Sequence, residues 1–417
     1  MGCIGVVVLL LLAMSLSRDL RAIRLRTVIG AFVLQASLGL FVLYVPWGQH
    51  VLGGLSASVA CLQDYGREGI AFLFGGLAGG QMYEVFGGGG FVFAIQVLPL
   101  IVFFSAFIAV LYYLHVMTWL IRVIGGSLRG LLGTSRTESM AAAANIFVGQ
   151  SEAPMVIRPY LPTLTRSELF AVMVGGMASV AGSTLIGYAS LGIELRYLIA
   201  ASFMAAPGGL LMAKLIEPES ERPSEPIDSV SVGLAEKPAN VLDAAALGAS
   251  SGLQLALNIG AMLLVFIALI ALVNGVLAWG GAWVGYPDLS LQRLLGYVFA
   301  PLAFVIGVPW EEAILAGGFI GEKLVLNEFV AFVDFASATR AGAGSADAAL
   351  SPGAQIIITF ALCGFANLAS IGIMLGGLGG MAPSRRPDVA RLGLKAVAAG
   401  TLSNLMSAAL AGLFISL

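Results

Sequence analysis

The chain carries very little charge. Only 11% of its 417 residues are Asp, Glu, Lys or Arg, against 59% that are hydrophobic. A soluble domain has about 25% charged residues because its surface must face water. The shortfall leaves too little polar side chain to coat a globule of this length, and a lipid-facing surface resolves the deficit. Histidine and cysteine are scarce too. His50 and His115 are far apart, and Cys3, Cys61 and Cys363 are too scattered for a disulfide framework or a metal cluster. No basic block marks a nucleic-acid-binding face, so nucleic acid is not an expected partner, and the net charge of −2 carries no signal. HExxH and the phosphate-binding GxxxxGKS/T are missing, and neither histidine is placed to pair with a serine nucleophile. This argues against a zinc protease, an ATP-driven pump and a serine hydrolase. No enzymatic activity and no organic cofactor are expected.

What the chain has is long apolar runs and glycine, 54 residues of it, which suits close helix packing and broken helices in a bilayer. A full span needs about 20 apolar residues. Spans are predicted at 3–17 (short), 27–46, 91–116, 167–192, 197–216, 247–279, 353–380 and 392–416. The expected fold class is therefore an all-α polytopic membrane protein with eight transmembrane helices. The stretch 49–80 carries Gln63, Asp64, Arg67 and Glu68 in its middle and reads as an interfacial helix. The apolar start resembles a signal-peptide core in length, but its arginines follow it instead of preceding it. That favours a short first span. Basic residues cluster at 18–26, 122–136 and 385–395. Under the positive-inside rule these segments are cytoplasmic, which places both termini outside, in a cell (inner) membrane. The loop 217–240, rich in Pro, Ser and Glu, then reads as a flexible cytoplasmic linker.

The linker separates two halves with the same order of parts. An amphipathic stretch (119–133), an interrupted apolar pair (137–162) and spans 167–192 and 197–216 precede it. After span 247–279 come an amphipathic stretch (289–300), an interrupted pair (309–337) and spans 353–380 and 392–416. The first unit starts inside and the second outside. Such inverted repeats place substrate and ion sites where broken helices meet at mid-membrane. The expected organisation is scaffold spans and interfacial helix in 1–116 and a first transport repeat in 117–216. A linker in 217–245, a long scaffold span in 246–282 and a second transport repeat in 283–417 follow.

Each interrupted pair reads as a re-entrant hairpin. In TESMAAAANIFVGQSEAPMVIRPYLP, the run 137–148 is roughly 18 Å long as a helix, too short to cross the hydrocarbon. Gly149, Gln150 and Ser151 supply a turn, so Glu152 sits deep in the membrane at the start of the returning arm. An intramembrane carboxylate marks a site by default; capping the returning helix is the structural alternative. In PWEEAILAGGFIGEKLVLNEFVAFVDFA the break is expected at Gly321, Glu322 and Lys323, with the return beginning at Asn327 and Glu328. Lys323 can pair with an acidic neighbour, which gives Glu322 a structural role. Glu328 has no such local partner and is the better site candidate. Spans 167–192 and 353–380 carry polar interruptions, Ser179 to Thr184 and Phe365 to Ser370. Asn367 and Ser370, three apart, would share a helical face and, with Glu328, suit hydroxyl groups. Asn145 and Ser179 can supply oxygens to a small hard cation, with carbonyls from unwound backbone at Val148 and Val180. The alternative is that these polar residues bond to each other.

Four motifs, GQSEAP, IRPYL, GEKLVLNEFVAF and GFANLASIGI, together resemble the concentrative nucleoside transporters over about residues 90–417. The resemblance implies a homotrimer with eight spans per protomer, a central scaffold and a mobile transport domain. It also implies symport of nucleosides with Na⁺ or, in some members, H⁺. By motif position Gln150, Ser151 and Glu152 contact the nucleobase, Glu328, Asn367 and Ser370 hold the ribose hydroxyls, and Phe365 packs by the base. Many relatives have Thr where this chain has Ser151 and a plain aliphatic where it has Thr184. Both positions lie near the base, which leaves purine-versus-pyrimidine preference open. The family's Na⁺ site maps to Asn145, Ser179 and the carbonyls of Val148 and Val180, all retained, so sodium is favoured over protons. The competing class is a passive channel, but two inverted hairpins facing broken spans favour alternating access.

Overall fold

The computed structural model describes residues 2–79, 82, 92–223, 238–283, 285–286, 288–342 and 350–415. Among these every regular element is helical. Helices α1 (Gly2–Ser15), α2 (Leu25–Leu43), α3 (Pro46–Phe74) and α4 (Leu98–Tyr113) come first. The first repeat holds α5 (Val116–Leu132), α6 (Arg136–Ala144), a 3₁₀ segment (Ala153–Thr163), α7 (Arg166–Ala178), α8 (Gly182–Ser190) and α9 (Leu195–Ile216). The long α10 (Val241–Trp283) leads to the second, made of α11 (Leu291–Val305), α12 (Trp310–Val325), α13 (Glu328–Gly342), α14 (Pro352–Leu362), α15 (Ala369–Met381) and α16 (Arg386–Ile415). Among the described residues six stretches are long and apolar enough to cross a membrane, including the α7–α8 pair, and α11–α12 qualifies as a pair bent by 116°. On each side of α10 the helices run in the order amphipathic helix, short pair, broken helix, continuous helix.

The elements start and stop for local reasons. Ser135 caps α6 in a capping box with Glu138, and Thr165 caps α7 in the same way with Glu168; each pairing satisfies N–H groups the helix cannot. Gly133, at φ 67°, closes α5 in the left-handed conformation that glycine adopts without strain. The returning arm of the first hairpin is 3₁₀ and not α-helical, because Pro159 and Pro162 remove amide donors and restrict the preceding residues.

Packing divides the molecule. In α7–α8 and α9, 94% of the most apolar window is buried, against 17% in α10. The latter buries chiefly small residues, among them Ala244, Gly248, Gly252 and Ala256, one every turn, against α4. A side chain at Gly248 or Gly252 would overlap the backbone of Ala106 or Val102, so the two helices approach as small-residue stripes allow. Polar contacts gather at the ends of α6, α7 and α9. Lys214 pairs with Glu138 and donates to Ser167 Oγ at 2.8 Å. Arg166 and Lys395 both bind Glu217, each at 3.1 Å.

Three expectations change. The second hairpin does not break at Gly321, Glu322 and Lys323: α12 runs through them, and the chain turns at Leu326 and Asn327. Gly317 and Gly321 let α12 pack closely on α11, and tertiary packing sustains a helix that local glycine would weaken. The segment 217–240 is not wholly a loose linker, since Glu217 and Glu219 are buried and paired; most of the remainder lies outside the described residues. Finally, α10 begins at Val241, within the predicted linker 217–245.

Candidate functional site

The first hairpin tip follows α6. Asn145 ends that helix, 1% exposed, and neither its Oδ1 nor its Nδ2 has a hydrogen-bond partner. Buried amides are normally paired, and this one is not. It lies against Gly175 on α7, whose carbonyl accepts from Ser179 Oγ at 2.9 Å. The tip is tied to the break between α7 and α8 by Gly182 N–H donating to the Phe147 carbonyl at 2.9 Å. Val148 and Val180 are both buried and non-helical. The four predicted cation-site residues therefore sit on two neighbouring turns. The oxygens these residues carry are neutral, and no group of three His, Cys, Asp or Glu that could hold a metal occurs among the described residues.

The second tip supplies Glu328, the first residue of α13 and 6% exposed. Its Oε1 accepts from the Tyr188 hydroxyl at 3.1 Å and its Oε2 from Asn367 Nδ2 at 2.9 Å. Asn367 is not helical, so the shared-face argument from sequence fails. It lies in the unwound link between α14 and α15, and its Oδ1 accepts from the Ser370 N–H at 2.9 Å, capping α15. Ser370 Oγ donates to the Phe365 carbonyl and accepts from Gln150 Nε2 at 3.1 Å. One continuous hydrogen-bonded chain thus runs from Tyr188 through Glu328, Asn367 and Ser370 to Gln150, joining the tips of both hairpins. Phe365 is half-buried and its N–H donates to the Ser179 carbonyl at 3.1 Å, linking the two helix breaks.

Ser151 packs against Gly377 on α15. Glu152 does not cap the returning arm; its Oε2 turns back to accept from the Gly149 N–H at 3.2 Å. It is exposed to a cavity of about 420 Å³, whose walls include Tyr112 on α4, Ser183 on α8 and Ser251 on α10. That volume is within the range of small-molecule sites, about 300–1,000 Å³. Glu328, Asn367 and Ser370 do not line this cavity. Thr184 is buried one turn before Tyr188.

Two groups carried no site expectation. Tyr188 is fully buried, stacked on Phe332 with ring centroids 4.3 Å apart, and lies four residues after Thr184, which was the available signal. Lys323 makes no salt bridge among the described residues, although it is near enough to Glu328 for the two to attract each other. Its ammonium donates to Asn404 Oδ1 at 2.6 Å and to the Ala361 carbonyl at 2.8 Å. Asn404 Nδ2 in turn donates to the Ala178 and Cys363 carbonyls at 2.6 and 2.9 Å. These carbonyls end α7 and α14, where helix dipoles favour positive charge, so one buried cation and one amide hold both breaks together. A polar Asn within the apolar run of α16 was the sequence signal.

Comparison with known proteins now decides the family. The family models described as Na⁺ dependent nucleoside transporter C-terminus and N-terminus match residues 197–412 and 4–77, and one described as nucleoside recognition matches 94–194. The chain belongs to the concentrative nucleoside transporter family. The transporter is 52% identical to the nucleoside permease NupC of Helicobacter pylori, covering 99% of this chain and 97% of the relative. It is 41% identical to sodium/nucleoside cotransporter 1 of Sus scrofa, over 98% of this chain and 63% of that longer protein. Among solved structures it resembles CNTnw in an inward-facing substrate-bound state, with a TM-score of 0.95 and 57% identity over 100% of this chain and 97% of that one. An outward-facing variant of CNTnw matches at 0.94, also with 57% identity and the same coverage. A protein whose close relatives adopt both states belongs to a fold that works by alternating access.

Proposed function

We propose that this transporter imports uridine-like nucleosides by symport with Na⁺, moving its hairpins and broken helices as an elevator against a scaffold that includes α4 and α10. The observation that carries the reading is the buried chain from Tyr188 through Glu328, Asn367 and Ser370 to Gln150. A nucleoside is neutral, with a flat donor–acceptor edge and vicinal hydroxyls. Carboxylate and amide groups at Glu328 and Asn367, with Ser370, match the ribose, and Gln150, Ser151 and Glu152 match the base, beside Phe365 and Thr184. Buried groups left unpaired cost about 1–3 kcal/mol each, which favours a ligand presenting the matching pattern.

Sodium is favoured over protons by the unpartnered Asn145 amide. Asn145, Ser179 and the carbonyls of Val148 and Val180 would hold the cation. By ordering the first hairpin tip, it would raise affinity for the base that Gln150 and Glu152 meet, a coupling that is reciprocal by linkage. Two re-entrant hairpins, eight spans in a cell (inner) membrane with both termini outside, and a homotrimer complete the reading.

Uptake of labelled uridine into proteoliposomes under separately imposed Na⁺ and pH gradients tests it. Accumulation driven by the Na⁺ gradient is expected. Uptake driven by pH alone would overturn the sodium assignment, and no uptake of any nucleoside under either gradient would overturn the transport reading. Saturation and stereoselective exchange separate a carrier from a channel.

A further inference from the structure

One buried acid has no part in that scheme. Glu322 on α12 is 0% exposed, and no hydrogen bond of 3.5 Å or less reaches either of its carboxylate oxygens. It faces the half-buried Asp334 carboxyl on α13, with the side-chain amide of Gln292 on α11 alongside. That amide donates to Asp334 Oδ2 at 3.4 Å and accepts from Asn274 Nδ2 on α10 at 3.0 Å. Asn274 Oδ1 accepts from the Leu291 N–H at 2.7 Å. A polar chain therefore leads from the long scaffold helix across α11 to an acid pair inside the second hairpin.

Ionised carboxylates only accept hydrogen bonds, so two that face each other repel and leave each other unsatisfied. A single proton makes one a donor to the other and removes the repulsion. Among the described residues neither acid forms an ion pair. Lys323 is engaged by Ala361 and Asn404. Arg293, the one charged residue of α11, is exposed. The sole charged residue of α10 is Asp243, at its far end, and α14 has none. On α13 itself, Glu328 is bound to Tyr188 and Asn367.

We propose that Glu322 and Asp334 form a proton-binding site that holds one exchangeable proton on the second hairpin, at its seam with α10 and α11. It is separate from the residues assigned to the metal cation. Partial exposure of Asp334 gives the proton a way out. Because Asn274 belongs to the scaffold, displacement of the hairpin alters the polar chain that sets the pair's affinity. Proton occupancy and hairpin position are then linked, a step that rests on the elevator reading.

Infrared difference spectroscopy on the purified full chain in lipid nanodiscs, titrated from acid to alkaline pH, reads the pair without any substrate. The expected result is a protonated-carboxyl C=O band that vanishes on the alkaline side and is missing from both Glu322→Gln and Asp334→Asn. Glu322→Gln keeps a donor facing Asp334, imitates the protonated pair and should fold. A band that persists in both variants, or a wild-type-minus-Glu322→Gln spectrum with no carboxyl signal at any pH, overturns the proposal. In proteoliposomes, wild-type uridine exchange should change about fivefold or more across the same titration, whereas Glu322→Gln stays flat. An identical pH response in both overturns the link to transport. Failure of the infrared arm leaves the nucleoside reading untouched, and absence of uridine exchange leaves the proton site intact.

Discussion

Truncating Asn367 to alanine is the sharpest test of the ribose end. The substitution removes the Nδ2 donor to the buried Glu328 carboxylate and the Oδ1 acceptor that caps Ser370 N–H, both at 2.9 Å. A hydrogen bond to a charged group contributes about 1.5–3 kcal/mol and a neutral one about 0.5–1.5 kcal/mol, so about 2–4.5 kcal/mol is at stake. The free protein feels part of this loss, because the same bonds exist without substrate. At about 1.4 kcal/mol per tenfold change, uridine affinity should fall toward the lower end, by about 30- to 100-fold. Calorimetric titration of the purified transporter at saturating Na⁺ measures it. The control ligand is 2′,3′-dideoxyuridine, which lacks the hydroxyls that Asn367 is argued to meet. Wild type and variant should bind that analogue with nearly equal affinity, as a thermodynamic cycle requires when the partner is already gone. Equal losses for both ligands, or an unchanged affinity for uridine, would remove Asn367 from the sugar site.

Three further outcomes follow from other parts of the molecule. Asn145→Ala should raise the Na⁺ concentration for half-maximal uridine uptake by about tenfold or more, through loss of a ligand oxygen worth at least about 1.4 kcal/mol; an unaltered Na⁺ dependence would move the cation elsewhere. Gly364→Ala should destabilise by about 1–3 kcal/mol, because its Cβ would overlap the Asn404 amide that ties α7 to α14, and an unchanged melting temperature in detergent would contradict that packing. Burial alone would raise the Glu217 carboxyl, yet hydrogen bonds from Arg166 and Lys395 hold it below the ordinary glutamate value. The folded value being the lower one, this stabilisation is present above the ordinary value and is lost as pH falls through the folded one. Glu217→Gln should therefore lower thermal stability at neutral pH and lose that deficit in acid, whereas a pH-independent deficit would mean that the charge contributes nothing.

The candidate site was partly legible because its residues are costly. Glu152, Glu328, Asn367 and Asn145 interrupt apolar runs, and a membrane tolerates such interruptions only where something pairs with them. Their partners were not legible. Tyr188 reaches Glu328 across 140 positions, and Gln150 reaches Ser370 across 220; no local spacing encodes such pairs. Lys323 shows the same limit, since an acid sits beside it in sequence and yet its ammonium turns to a carbonyl and an amide on other helices.

Composition and hydropathy by themselves determined that this is a helical membrane protein, because a chain with so little charge has no other solvent to face. Run lengths and breakers marked short helices and interrupted apolar runs on both sides of α10, which the structure shows as broken helices. Tertiary structure decided where the second hairpin turns, since close packing of α12 on α11 carries the helix through Gly321 to Val325. It also decided which acids meet donors and which is left facing another acid. The physical reason is the same throughout: a buried polar atom must be satisfied, and in a bundle of broken helices its partner comes from whichever element the fold brings near.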